Sequence, residues 1–382
     1  MDKRYTTPPF ASGMFDMIRW CAAILVVIHH ARSIFYGSYY EISNPTILDT
    51  GLFCISMWGN CAVIVFFVLS GYFIGSSVLK AISENRFSWK HYIINRVSRL
   101  YIVLIPALIF TALVDYVGMT QWGVDNAYAD SANRTIIRWL GNVFMAQPTY
   151  VPQYGTITPV WSLSYEFWYY LLFPTLALLL SKNVSLKYCS AMILIAIVII
   201  FFIQLKMASY FLIWMIGVVV AIAPIPEKWK SKKLRYAVIC FLVSIGVIGA
   251  RILEYKLLPS YNHWSFQLCA DFVMASLFAV LFYSTKAYSM GGQDFPFSNI
   301  HKRLAGFSYT TYLIHNPILV FISAGALVNE GVALGRGRGD ILRFMGLVVF
   351  VVVCAYIFSI FTERKTGALR RRLRKWLIRS RA

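Results

Sequence analysis

Long apolar runs separated by short polar segments dominate the chain, and each run approaches the roughly 20 residues that a helix needs to cross a hydrocarbon core of about 30 Å. Ten such runs are read, near 14–34, 57–79, 100–118, 158–181, 187–204, 208–224, 236–254, 263–285, 304–325 and 341–361. They predict an all-α polytopic membrane bundle of about ten transmembrane helices. A further run, 135–146, is shorter and carries Arg138 and Asn142, so it predicts an interfacial or re-entrant helix. The inverted internal repeat found in many transporters is not seen.

Composition agrees with that pattern. Of 382 residues, 59% are apolar, 16% aromatic and only 14% charged, against roughly 25% charged in ordinary soluble chains. Disorder, collagen-like repeats and a disulfide scaffold are excluded. The seven cysteines form no Cys-x-x-Cys pair and read as small hydrophobes. The net charge of +20 reflects scarce acidic residues, 16 against 36 basic ones, so no nucleic-acid partner is expected; the partner is a lipid bilayer. The distribution of charge is more informative than its total. With a cytoplasmic N-terminus, the ten spans place 26 Lys and Arg inside and seven outside. The positive-inside rule therefore predicts that both termini are cytoplasmic, and opposes an eleventh span at 135–146.

The first run contains Asp16, Arg19 and two histidines and lacks a small-residue cleavage site, so it reads as a retained span, not a signal peptide. Two segments are expected: a transmembrane domain over 1–362 and a basic cytoplasmic tail over 363–382. The tail, with "RKTGALRRRLRKWLIRS", suits a surface helix on the anionic leaflet. No room for a further soluble domain is seen.

Ionisable groups inside spans are candidates for function. Arg19 and His30 lie eleven residues apart, three helical turns plus about 20°, so they share one stripe about 16 Å apart along the axis. Asp16 shares that face, whereas His29 points about 100° away. The fourth span opens "VWSLSYEFWYY", with Trp161, Ser162, Ser164 and Glu166 at its outer end. A capping box accounts for Ser162 better than for Glu166, which is too deep for a third-position cap and needs a partner such as His30 or Arg32. Arg96 and Arg99, an i, i+3 pair before the third span, suit either positive-inside anchoring or a phosphate clamp. "SYTTYLIHNPI" gathers Ser308, Tyr309, Tyr312, His315, Asn316 and Pro317, and a kink at Pro317 satisfied by His315 or Asn316 is the structural account. Asp271 and Arg251 are candidates to pair with each other.

These motifs, in this order, resemble the membrane-bound acyltransferase-3 family: "RWCAAILVVIHH" through His30, "AVIVFFVLSGYFIG", "NRVSRLYIVLIP" through Arg96 and Arg99, "WSLSYE" from Trp161 to Glu166, and "SYTTYLIHNPI". The resemblance runs from Arg19 to about residue 361. Departures are small: Met17 and Ile18 precede Arg19 where many members read Gly-Leu, and Cys61 to Ile64 replaces a more usual Gly-Val-Asp stretch. The family resemblance implies a bacterial inner-membrane enzyme. Such an enzyme moves an acyl group, usually acetyl, from cytoplasmic acyl-coenzyme A to a hydroxyl of an extracytoplasmic envelope glycan. O-antigen of lipopolysaccharide, exopolysaccharide and capsule are the acceptor types, free or lipid-linked, and no metal is expected.

On that reading His30 is the general base, since imidazole titrates nearest working pH. Glu166 orients it, while Arg19, Arg96 and Arg99 bind the acyl-coenzyme A donor. Asp16, Trp161, Ser162, Ser164, Tyr309 and His315 are supporting candidates. Direct transfer and an acyl-histidine intermediate both stay open. The competing classes are a secondary transporter or flippase of a glycan precursor and a non-catalytic scaffold. For the acceptor, segments 35–56, 119–157 and 326–340 are available. There Trp122, Tyr128, Tyr150 and Tyr154 suit either sugar stacking or interfacial anchoring, and "GRGRGD" at 335–340 suits an anionic saccharide or a plain loop.

Overall fold

A computed structural model describes residues 5–36, 39, 45–122, 134–181, 186–202, 204–257, 264–330 and 338–379. Among them the regular elements are all helical. They are α1 (Pro9–Phe35), α2 (Ile47–Ser56), α3 (Gly59–Ser83), α4 (Trp89–Trp122), α5 (Ile136–Val143), α6 (Val160–Leu179) and α7 (Leu186–Phe202). There follow α8 (Leu205–Ile222), α9 (Lys233–Leu257), α10 (Trp264–Ser289), α11 (Ser298–Ala305), α12 (Ser308–Glu330), α13 (Arg338–Phe361) and α14 (Thr366–Arg379).

Each of the ten apolar runs falls on a helix, so the polytopic helical class holds. Seven helical segments among the described residues are long and apolar enough to cross a membrane by length and composition. The other three expected spans are α6, α7 and α12. At 17 residues α7 is short, and the remaining two carry the polar groups described below. Lipid is the natural solvent for the outer faces. On α9, Phe241, Leu242, Ile245, Ile248 and Ile252 are exposed, as are Leu194, Ile197 and Ile200 on α7.

The structure differs locally from the sequence pattern. Residues 96–99 do not precede the third span's helix but lie within it. No Gly or Pro stands between Trp89 and Arg99, so α4 starts ahead of both arginines and runs 34 residues, continuing through Pro106. The short α2 is added by a capping box, with Asp49 and Thr46 closing reciprocally. Nor does α12 use its own side chains at Pro317: His315 Nδ1 bonds the Thr311 carbonyl, while Asn316 Nδ2 donates to the Thr156 carbonyl.

The chain folds as two compact units interleaved in sequence. Unit 1 comprises 1–19, 63–87 and 165–303; unit 2 comprises 20–62, 88–164 and 304–382.

Within unit 1, α3 and α8 cross at backbone contact. A Cβ on Gly71 would lie 1.9 Å from the Trp214 carbonyl oxygen, and one on Gly217 would lie 1.9 Å from that of Val68. Small residues permit this approach where lipid offers no hydrophobic drive between helices. Lys286, 2% exposed, donates to the Ala221 carbonyl at 2.5 Å and so caps the C-terminal end of α8. Arg251 and Asp271 belong to one polar cluster with Glu254 and Gln267. Arg251 binds Glu254 at 2.5 Å, Tyr210 donates to Asp271 at 2.5 Å, and Gln267 donates to both carboxylates.

Within unit 2, α4 packs against α12 and α14. Asn142 on α5 is fully buried and holds the following turn: its amide donates to the Pro152 carbonyl, and its oxygen accepts from the Tyr154 amide. Asp115 on α4 accepts from the Thr156 backbone at 3.0 Å and from its hydroxyl at 2.6 Å. Gly155, at φ +52°, lies so close that a Cβ would sit 2.2 Å from the Asp115 carboxylate. Glu363 caps the start of α12 by accepting from the Thr310 amide and hydroxyl.

Candidate active site

Two histidines meet in unit 2. His30 lies near the end of α1, and His315 lies within α12, fully buried. His315 Nε2 stands 3.1 Å from His30 Nδ1. The surrounding carbonyls fix the tautomers. His315 Nδ1 is 3.1 Å from the Thr311 carbonyl, which can only accept, so it carries the proton and leaves Nε2 as acceptor. His30 Nδ1 faces that acceptor and the Val26 carbonyl, also at 3.1 Å, so it too is the protonated nitrogen. The neutral His30 ring therefore holds its lone pair on Nε2, to which no described residue bonds. The ring is only half-buried, whereas its partner is sealed.

A hydroxyl pair lies beside the imidazoles. Tyr312 and Ser162 are 2.7 Å apart, and the Tyr312 and His315 rings are 6.2 Å apart by centroids. Since Ser162 Oγ also donates to the Pro159 carbonyl, Tyr312 donates to Ser162. Ser162 thus ties α6 to α12 instead of closing a capping box with Glu166. Ser164 donates to the Met145 carbonyl at 2.7 Å and anchors the turn after α5. Trp161 is half-buried on the first turn of α6. Tyr309 reaches the Leu100 carbonyl at 3.1 Å, which joins α12 to the residue following Arg99.

His29 points elsewhere, as its angular offset requires: its Nδ1 lies 2.8 Å from the Ser56 carbonyl, and its ring packs over Gly59. Arg32 donates to Ser56 and stacks on Phe53. Arg96 lies over the Tyr92 ring, 5.3 Å from its centroid, and Arg99 is exposed one turn on.

Asp16, Arg19 and Glu166 belong to unit 1. Arg19 pairs with Asp16 at 3.3 Å, the i, i+3 relation expected on one face of α1. Glu166 accepts from Tyr170 at 2.6 Å, and the Tyr170 hydroxyl lies 3.2 Å from Ser70, which also accepts from the Trp214 indole. Among the outer aromatics, Trp122 packs edge-on against Phe321 and Tyr154 is buried, while Tyr150 is exposed. Tyr128 and Arg336 lie outside the described residues, as does the first half of the "GRGRGD" segment, 335–337, while α13 begins at Arg338.

Sequence reasoning noted Tyr312 within the polar cluster without giving it a role, and passed over Asp115. Tyr312 is three residues before His315, a same-face spacing that was available. Asp115 is the only acid in the third apolar run, which was signal enough.

The family model of the acyltransferase-3 domain matches residues 14–360. A protein named "O-acetyl transferase" from Shigella phage Sf6 is 27% identical over 168 residues, covering 42% of this chain and 44% of the relative. An uncharacterised protein of Haemophilus influenzae is 29% identical over 153 residues, covering 38% and 59% respectively. The chain spans about half the length of these relatives, 44% and 59%. No solved structure matches significantly. With a match over almost its whole length, the chain belongs to the acyltransferase-3 family.

Proposed function

We propose that the protein is a membrane O-acyltransferase that moves an acyl group, most simply acetyl, from cytoplasmic acyl-coenzyme A to a hydroxyl of an extracytoplasmic cell-envelope glycan. The observation that carries this reading is the His30–His315 pair, in a chain whose family is defined by an acyltransferase domain. His30 Nε2 accepts the proton of the acceptor hydroxyl as its oxygen attacks the thioester carbonyl. The carbon–sulfur bond breaks, and the departing thiolate takes the proton back. His315 holds the proton on Nδ1 of His30 and accepts a hydrogen bond that strengthens as the ring becomes cationic. It thereby takes the orienting task that the sequence pattern offered to Glu166.

Arg96 and Arg99 suit the coenzyme's phosphates. Tyr309 bonds the carbonyl beside Arg99, and His315 lies six residues further along α12, a rise of about 9 Å. The flexible pantetheine arm of a donor covers such a gap. With both termini cytoplasmic, as the basic residues suggest, the arginines face the compartment that holds the donor. The name of the phage relative, O-acetyl transferase, supports O-acetylation as the reaction class.

The reading is tested by mass analysis of surface polysaccharides from isogenic cells with and without the gene. An acetyl-sized mass increment on an envelope glycan, present only with the gene and absent in His30→Ala, is the expected result. Identical glycans in all strains contradict the proposed acceptor class.

A further inference from the structure

Beyond the matched residues 14–360, the tail folds as α14 and lies along the first half of α4. A basic helix adsorbed on an anionic leaflet would turn its arginines outward to lipid. Here two of them lie on the side that faces α4. Arg374 Nη2 donates to Asn95 Oδ1 at 3.0 Å. One turn earlier, Arg370 is half-buried, and among the described residues nothing accepts from its buried Nε. The groups that act on its charge are Arg374, Arg96 and Arg99, all cations. Together with burial, the larger effect, they hold the Arg370 guanidinium below its ordinary value.

Four guanidinium groups on two packed helices repel one another, so their juxtaposition calls for an anion. Arg370 and Arg374 share a face at i, i+4, and Arg96 and Arg99 share one at i, i+3. Planar forks converging from two sides fit phosphate oxygens bidentately, and four of them exceed what one phosphate needs. Arg99 and Arg374 are exposed, which leaves the cluster open to a ligand.

We propose that α14 is half of a polyphosphate site, in which Arg370 and Arg374 join Arg96 and Arg99 to hold the multiply phosphorylated nucleotide end of the acyl donor. The identity of the ligand as a coenzyme A nucleotide rests on the proposed function; the polyphosphate chemistry does not. The tail is then part of the enzyme's donor site and not only a leaflet anchor.

The test uses the full-length protein in lipid nanodiscs, with 3′-phospho-ADP as probe by calorimetry and vesicles containing phosphatidylglycerol as the lipid arm. Three forms are compared: wild type, Arg370→Gln/Arg374→Gln, and Arg371→Gln/Arg372→Gln as a matched loss of charge on the same helix. The expected result is at least tenfold weaker nucleotide binding in the first variant only, with the donor KM rising in parallel and kcat within twofold. Equal nucleotide affinity in all three forms overturns the inference, and a loss confined to vesicle binding assigns the cluster to lipid headgroups instead. If wild type binds the nucleotide through these arginines but turns over no acyl-coenzyme A, the proposed function fails while the polyphosphate site stands.

Discussion

A neutral imidazole is basic at one nitrogen only, and around His30 the choice is made by its neighbours. The Val26 carbonyl and His315 Nε2 both require a proton on Nδ1, and the Thr311 carbonyl ensures that His315 has a lone pair to offer. Removing His315 leaves His30 in place with one acceptor instead of two, but frees the ring to rotate or change tautomer. His315→Leu is therefore expected to lower kcat by about 10²-fold, the lower end of general-base effects, with the donor KM nearly unchanged. His315→Gln, whose amide oxygen can accept from Nδ1, should recover part of that loss. Steady-state kinetics on the two variants check this, and equal defects in both would remove the positioning role. The stripe of Arg19 and His30 on α1 is legible from the helical repeat, as is the divergence of His29. The partner of His30 is not, because residues 285 positions apart in sequence meet only through tertiary packing. The sequence pattern offered Glu166, a carboxylate in search of a partner, but Tyr170 one turn along the same helix supplies a bond to it.

At the level of elements, apolar run length located the ten long helices to within a few residues of most of their ends. What it missed has local causes. Arg96 and Arg99 fall before the third apolar run because hydropathy drops there, although helix propensity does not, and α4 already includes them. The polar helices α6 and α12 depart furthest from apolar composition because their hydroxyl, carboxyl and imidazole groups bond one another or nearby carbonyls. The α3–α8 crossing was equally hidden, since glycines in apolar helices have several uses and only the approach of two backbones reveals this one. Gly217→Leu drives a side chain into the Val68 carbonyl, which belongs to a helix backbone and cannot move aside. It is expected to destabilise unit 1 by roughly 3 kcal/mol or more. The expected readout is a lower Tm and loss of the monodisperse peak in detergent. Gly249→Ala, at a position with nothing within 4 Å, should behave as wild type and serves as the control.

For the whole molecule, the low charged fraction and the clustering of basic residues explain the polytopic class and suggest its orientation. The fine assignment of donor and acceptor rests on the proposed chemistry. That chemistry requires one chain to carry out two linked tasks, activation of a hydroxyl at His30 and retention of a thioester donor by arginines of α4. Both can be read in a single measurement. Purified protein in nanodiscs, supplied with radiolabelled acetyl-coenzyme A and isolated envelope glycan, is followed for label transfer and for release of free thiol. The account predicts equal release of thiol and gain of glycan label by wild type, and loss of both by at least 10²-fold in His30→Ala, while 3′-phospho-ADP binding is preserved. Undiminished transfer in His30→Ala would contradict the central claim.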